Sequence, residues 1–188
     1  MQRFPAAAGR VLYTIICGGR MEIIIMKKVA IIMGSDSDLP TVEKAFGVLR
    51  EFDVPFEAHV FSAHRTPVQA KEFSENARKN GFGVIIAAAG MAAHLAGAIA
   101  ANTTLPVIGI PISSKAFGGM DALLSTVQMP SGIPVATVAV DGAANSAWLA
   151  MEIISVSDEV LAEKLSEARA KNAEKVLQKD RALAEKLN

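Results

Sequence analysis

From Lys28 onward the chain alternates short unbroken apolar runs with stretches whose apolar residues recur every three or four positions. An unbroken run of about five is a strand covered on both faces, and the wider spacing is the buried stripe of a helix. On this pattern the strands fall at Val29–Met33, Phe56–Phe61, Gly83–Ala88, Val107–Ile110 and Val135–Val140, with Pro111 closing the fourth. Leu39, Val42, Phe46 and Leu49 share one face of a first helix behind Pro40. Thr66-Pro67-Val68-Gln69 has the spacing of a capping box and opens a second helix that Gly81 ends after about Asn80. A third helix carries Met91–Ala101, a short one lies around Met120–Val127, and an alanine-rich one spans Ala143–Ile154.

Five strands alternating with helices predict a flavodoxin-like three-layer α/β/α sandwich, whose five-stranded parallel sheet has the usual order 2-1-3-4-5. This domain occupies residues 26–156. The segment 157–188 is charged and helical, with a loose stripe of Val160, Leu161, Leu165, Ala168, Ala173, Val176 and Leu177. It is expected to pack either on its own domain or on a neighbouring subunit. Residues 1–25 only loosely imitate an export signal, because Arg3 and Arg10 precede a short apolar run, Val11–Cys17, and no clear cleavage site follows. They are read as an extension outside the domain, of uncertain status.

Composition narrows the function. The 188 residues suit one domain, and 51% apolar against 5% aromatic content means an aliphatic core. Lys+Arg and Asp+Glu balance at 19 each, so the basic excess of a nucleic-acid binder is missing. The apolar stretch Gly83–Ala101 is about long enough to cross a bilayer, but it holds three glycines, His94 and many alanines. A buried strand followed by a buried helix explains it, and no membrane partner is expected. Cys17 is the one cysteine, which rules out an internal disulfide or thiolate cluster and suits a cytoplasmic setting.

In an open parallel sheet, ligands bind outside the carboxyl ends of the strands. The loop after the first strand, Gly34-Ser35-Asp36-Ser37-Asp38, offers hydroxyls and a tight turn for a phosphate, and Asp38 suits ribose hydroxyls. Equally, Ser37 or Asp38 can simply cap the first helix. The loop after the second strand, Ser62-Ala63-His64-Arg65, pairs a planar phosphate fork with a side chain able to move protons near neutral pH. After the third strand, Ala89, Gly90 and Met91 let backbone amides approach a flat ligand at a helix start. His94 there is either a ligand contact or a structural residue, and His59, inside the second strand, is assigned to structure. No metal-ligand spacing, Walker loop or dinucleotide fingerprint is present. These residues describe an acid/base enzyme without a cofactor that acts on a phosphorylated small molecule.

Four segments in this order, Gly34–Asp38, Ser62–Pro67, Gly90–Leu95 and Ser125–Pro130, resemble the N5-carboxyaminoimidazole ribonucleotide mutases of purine (IMP) biosynthesis. The likeness runs from about Lys28 to Val176. It implies a cytoplasmic homo-octamer with active sites at subunit contacts and neither metal nor organic cofactor. It also implies an isomerase that moves a carboxylate from N5 to C4 of the imidazole ring through transiently trapped CO2. His64 would protonate the departing nitrogen and later remove the C4 proton. Ser35, Asp38 and Arg65 would hold the ribose phosphate, with Ser37 and Ser62 assisting. Ala89, Gly90, Met91 and His94 would surround the carboxylate. Met91 stands where the family often has glycine and Ala96 where it often has proline, so a positive φ at Met91 would be strained. The related carboxylase, which adds CO2 directly to aminoimidazole ribonucleotide, commonly has lysine in place of Arg65. The related pyridinium biscarboxylate synthase uses a cysteine, and Cys17 lies outside the domain. A non-catalytic nucleotide-binding module is the alternative from another class.

Overall fold

In the computed structural model, residues 3–5, 11–17 and 20–187 are described. Strands β1 (Arg3–Pro5), β2 (Val11–Cys17) and β3 (Arg20–Ile25) form a small antiparallel sheet in the order β1-β2-β3. The segment read from sequence only as an extension therefore carries strands of its own.

The apolar runs build a separate, fully parallel sheet from β4 (Lys28–Met33), β5 (Phe56–Val60), β6 (Phe82–Gly90), β7 (Val107–Ile112) and β8 (Ala136–Thr137). Its order is β5-β4-β6-β7-β8, the expected 2-1-3-4-5 of a flavodoxin-like sandwich. Side chains alternate across a strand. Val29, Ile31 and Met33 of β4 accordingly enter one core with helices α1 (Leu39–Glu51) and α5 (Ala143–Ser155). Ala30 and Ile32 enter the other, with helix α3 (Leu95–Ala100) and Phe73 of α2 (Pro67–Asn76). Helix α4 (Met120–Val127) lies on this second face, where Thr126 stands over Gly109 of β7.

Several boundaries differ from the sequence reading, each for a local reason. Pro111 does not close β7. It lies beyond the β7–β8 ladder, needs no N–H there, and its carbonyl accepts from Asp141 N–H at 2.9 Å. The run Val135–Val140 keeps only Ala136 and Thr137 in the ladder before a turn at Asp141 (φ 56°). Thr66 makes no side-chain cap to α2, because its hydroxyl is engaged with Ser62. The helix ends at Asn76, and turns carry the chain to Gly81 (φ 87°). The third helix starts at Leu95 rather than Met91, since β6 continues to Gly90 and Met91 adopts a positive φ.

Helix α6 (Glu159–Leu187) has 29 residues, about 43 Å at 1.5 Å per residue. Asp158 caps it through Leu161 N–H at 3.0 Å. Leu161 and Leu165 are buried, with Ala168 packed beside them, and Lys164 reaches the Phe52 carbonyl and the Asp53 carboxylate. Arg169 pairs with Glu152 of α5. Beyond this point the helix leaves the core, and Ala173, Val176 and Leu177 of the expected stripe are exposed.

Candidate active site

The turn after β4 is organised by Ser35. Its Oγ accepts from the Ser37 amide at 3.3 Å and from the Ser37 hydroxyl at 2.9 Å, capping a 3-10 turn over Asp36–Asp38. The capping alternative for Ser37 or Asp38 is thereby corrected: Ser35 is the cap, and Asp38 makes no side-chain cap to α1. Asp38 is 8% exposed. Burial pushes its carboxyl above the ordinary 3.8, helped by the Asp36 charge and opposed by hydrogen bonds with the Ser35 backbone and Ser37 side chain.

After β5 the chain ties itself into a compact turn. Thr66 Oγ1 accepts from Ser62 N–H at 2.8 Å and donates to the Ser62 carbonyl at 3.2 Å. Ser62 Oγ in turn accepts from the amides of His64 (3.3 Å) and Arg65 (3.2 Å). Small side chains between β5 and α2 thus fix the backbone from which the imidazole and guanidinium project. Arg65 Nη2 donates to the Gly34 carbonyl at 3.1 Å, joining this loop to the first. His64 Nε2 lies 2.8 Å from His94 Nδ1, joining it to the third.

The third loop leaves β6 at Gly90, where a Cβ would come 3.3 Å from the Ile112 carbonyl oxygen. Met91 follows at φ 56°, as the resemblance led one to expect if the position demands a glycine-like conformation, with its side chain 65% exposed. The amides of Ala93 and His94 are engaged inside the turn, with the Met91 and Ala92 carbonyls at 2.9 and 2.8 Å. His94 sits at the N-cap of α3 without a side-chain cap.

The three loops meet around a cavity of about 620 Å³. His64, Ser35, Ser37, Asp38, Ser62, Arg65, Ala89, Gly90, Met91 and His94 all line it. His59 does not. Its ring stacks on Phe61 at 5.2 Å and leans on Phe73 at 4.9 Å, as the structural assignment anticipated. The cavity also takes in Ile112, Ser113 and Ser114 from the end of β7, which the sequence analysis did not single out. The Ser113 amide donates to Asp141 Oδ1 at 2.9 Å, pinning this fourth wall. The signal was available: the segment follows a strand on the ligand edge and is rich in hydroxyls. Among the described residues no group of three or more His, Cys, Asp and Glu side chains could hold a metal ion.

A guanidinium, hydroxyls, small residues and two imidazoles thus line one cavity at the carboxyl ends of the strands of a 2-1-3-4-5 sheet, where open α/β proteins bind their ligands. Comparison with known proteins makes the class specific. Residues 28–175 match the family model described as AIR carboxylase, and the chain belongs to that family. It is 57% identical over 144 residues to the N5-carboxyaminoimidazole ribonucleotide mutase of Pyrococcus abyssi, covering 77% of this chain and 83% of that one. With the mutase of Bacillus subtilis identity is 55% over 152 residues, or 80% and 94% of the two chains. The phosphoribosylaminoimidazole carboxylase of Saccharomyces cerevisiae is 46% identical over 163 residues, which are 87% of this chain but 28% of that longer protein. The crystal structure of Treponema denticola PurE superposes with a TM-score of 0.75 at 29% identity, over 84% of this chain and 98% of that one.

Proposed function

We propose that this chain is an N5-carboxyaminoimidazole ribonucleotide mutase, an isomerase of purine biosynthesis with His64 as its proton carrier. The observation that carries the reading is the convergence of the three loops on one cavity, with His64 at their junction. Protonation of N5 by His64 breaks the N5–carboxylate bond and leaves aminoimidazole ribonucleotide beside CO2. Ring carbon C4 then attacks the CO2, and His64 takes the C4 proton to restore the aromatic ring. Protons and charge balance over the cycle, so no cofactor is needed.

CO2 must not escape between these steps, which favours a small-residue pocket such as Ala89-Gly90 over open solvent. Arg65 holds Gly34 through one nitrogen and has further donors for the phosphate. Ser35, Ser37 and Ser62 assist it, and Asp38 receives the ribose hydroxyls. A cytoplasmic homo-octamer completes the reading. Phe117, Met120, Leu124 and Val127 expose one apolar face at 71, 55, 51 and 47%, the kind of surface a neighbouring subunit covers. In the same reading residues 26–156 form the catalytic domain, 1–25 stay outside it, and the outer part of α6 packs on a second subunit.

The test supplies substrate labelled with 13C in its N5 carboxylate, in the presence of unlabelled bicarbonate. A mutase delivers the label to C4. Unlabelled product, or turnover only of aminoimidazole ribonucleotide with bicarbonate, would identify a carboxylase instead. No product from either substrate would leave the binding-module alternative.

A further inference from the structure

Two imidazoles that meet through their ring nitrogens can hold one hydrogen between them. His64 Nε2 and His94 Nδ1 stand 2.8 Å apart, with the rings edge to face at 86° and their centroids 5.0 Å apart. With no hydrogen at this distance two lone pairs would face each other, and with two the N–H groups would collide. Each allowed arrangement fixes both rings. With both rings neutral, if His64 donates, its Nδ1 is bare and His94 carries its proton on Nε2. If His94 donates, His64 carries its proton on Nδ1.

We propose that His94 is the positioning residue for His64: its Nδ1 sets the rotation of the His64 ring and decides which nitrogen bears the proton. The inference rests on the reading of His64 as proton carrier and gives His94 a task other than contact with the carboxylate. His64 needs such a partner. Its backbone is fixed by Ser62, but its side chain is exposed on the cavity wall, and the ring torsion of a histidine has two nearly equivalent settings. A hydrogen bond to one nitrogen removes that ambiguity. His94 can supply it because its own backbone is held on both sides. Its amide donates to the Ala92 carbonyl at 2.8 Å, and its carbonyl accepts from Ala98 N–H at 2.9 Å. The next residues, Leu95 and Ala96, are each 2% exposed and anchor α3 in the core. The imidazole is therefore presented from a hydrogen-bonded backbone with buried neighbours to an exposed side chain.

The experiment compares His94→Asn, whose amide reaches the place of Nδ1, with His94→Leu, which offers nothing there. Both are full-length proteins with melting temperatures checked against the parent. Loss of orientation costs about 100-fold in rate when a reacting group is misplaced by an ångström. The leucine variant should therefore lose about that factor in kcat with little change in KM, and the asparagine variant should recover most of it. In parallel, 15N solid-state NMR of histidine-labelled protein, with His64 assigned by its loss in His64→Asn, should show one tautomer in the parent and in His94→Asn, and a mixture in His94→Leu. If His94→Leu does not fold, His94→Gln, with its amide at the Nε2 place, serves instead. Parent-like kcat in His94→Leu, a loss carried by KM alone, or an unchanged His64 tautomer would overturn the proposal. A parent protein with no turnover refutes the mutase reading, while the NMR comparison still judges the His64–His94 contact.

Discussion

Gly109 leaves no room for a side chain between the sheet and α4, and a methyl group there should be felt in the cavity. A Cβ on Gly109 would lie 2.3 Å from Thr126 Cγ2, 3.1 Å from Val135 Cγ1 and 3.5 Å from Ala96 Cβ. Carbon pairs prefer roughly 3.5–4.0 Å, so the first contact is short by more than an ångström and α4 must move. Overpacking of this kind costs about 1–3 kcal/mol, or about 2–4 °C of melting temperature per kcal/mol at this chain length. The offending atom is a single methyl, and Thr126→Ser removes it while keeping the hydroxyl bond to the Ala122 carbonyl (2.7 Å). Thr126→Ser alone should cost about 1 kcal/mol for the lost buried methyl. In Gly109→Ala/Thr126→Ser the two losses should not add, and a coupling of about 1–2 kcal/mol should return. Thermal and urea unfolding at one fixed protein concentration would measure the cycle. Because α4 follows the segment that brings Ser113 and Ser114 to the cavity, KM of Gly109→Ala should rise and fall back in the double variant. Strictly additive losses would show that α4 is not seated on Gly109 through this methyl.

Met91→Gly removes a left-handed methionine whose side chain is 65% exposed, so relief of about 1–2 kcal/mol should outweigh the entropy cost of glycine, which is below about 1 kcal/mol. A lower melting temperature would contradict the strain. For Asp38 the sign follows from its raised folded-state value. The unfolded carboxyl ionises first, so the folded protein loses stability as pH climbs from 3.8 through the higher folded value, and that penalty persists above it. Asp38→Asn should therefore be more stable than the parent at neutral pH, with the gain vanishing in acid, and should bind substrate more weakly. A gain that grows in acid would refute the burial argument. Ending the chain after Lys171 leaves Leu161 and Leu165 in place, so the domain should keep its fold while the particle mass falls by more than the deleted residues. An unchanged subunit count by light scattering would deny the outer part of α6 an assembly role.

Most of the sheet was legible because β4, β6 and β7 are built on aliphatic residues with no charged residue inside the run, and such runs bury on both faces. The fifth strand was not, because Val135–Val140 has the composition of a strand while its pairing stops where Asp141 takes φ 56°. Pro111 misled in the opposite direction, since a proline is harmless where no neighbour asks for its N–H. The capping box failed because Thr66 had a nearer partner in Ser62, and no spacing rule ranks two local bonds against each other. Ten of the cavity-lining residues followed from one rule, that ligands sit at the carboxyl ends of the strands. Applying the same rule to the fourth strand would have added Ser113 and Ser114. The His64–His94 contact spans 30 positions and depends on how two loops fold toward each other, so nothing local could reveal it.

His64 is proposed as the group that moves the proton within this cavity. The direct measurement is conversion of N5-carboxyaminoimidazole ribonucleotide to its C4 isomer in bicarbonate-free buffer, for the parent and for His64→Asn. General acid/base catalysis is worth about 10²–10⁴-fold, so the variant should be slower by at least the lower figure while binding product as tightly as the parent. Parent-like turnover by His64→Asn would contradict the account, because no other role of this imidazole would leave the chemistry it explains untouched.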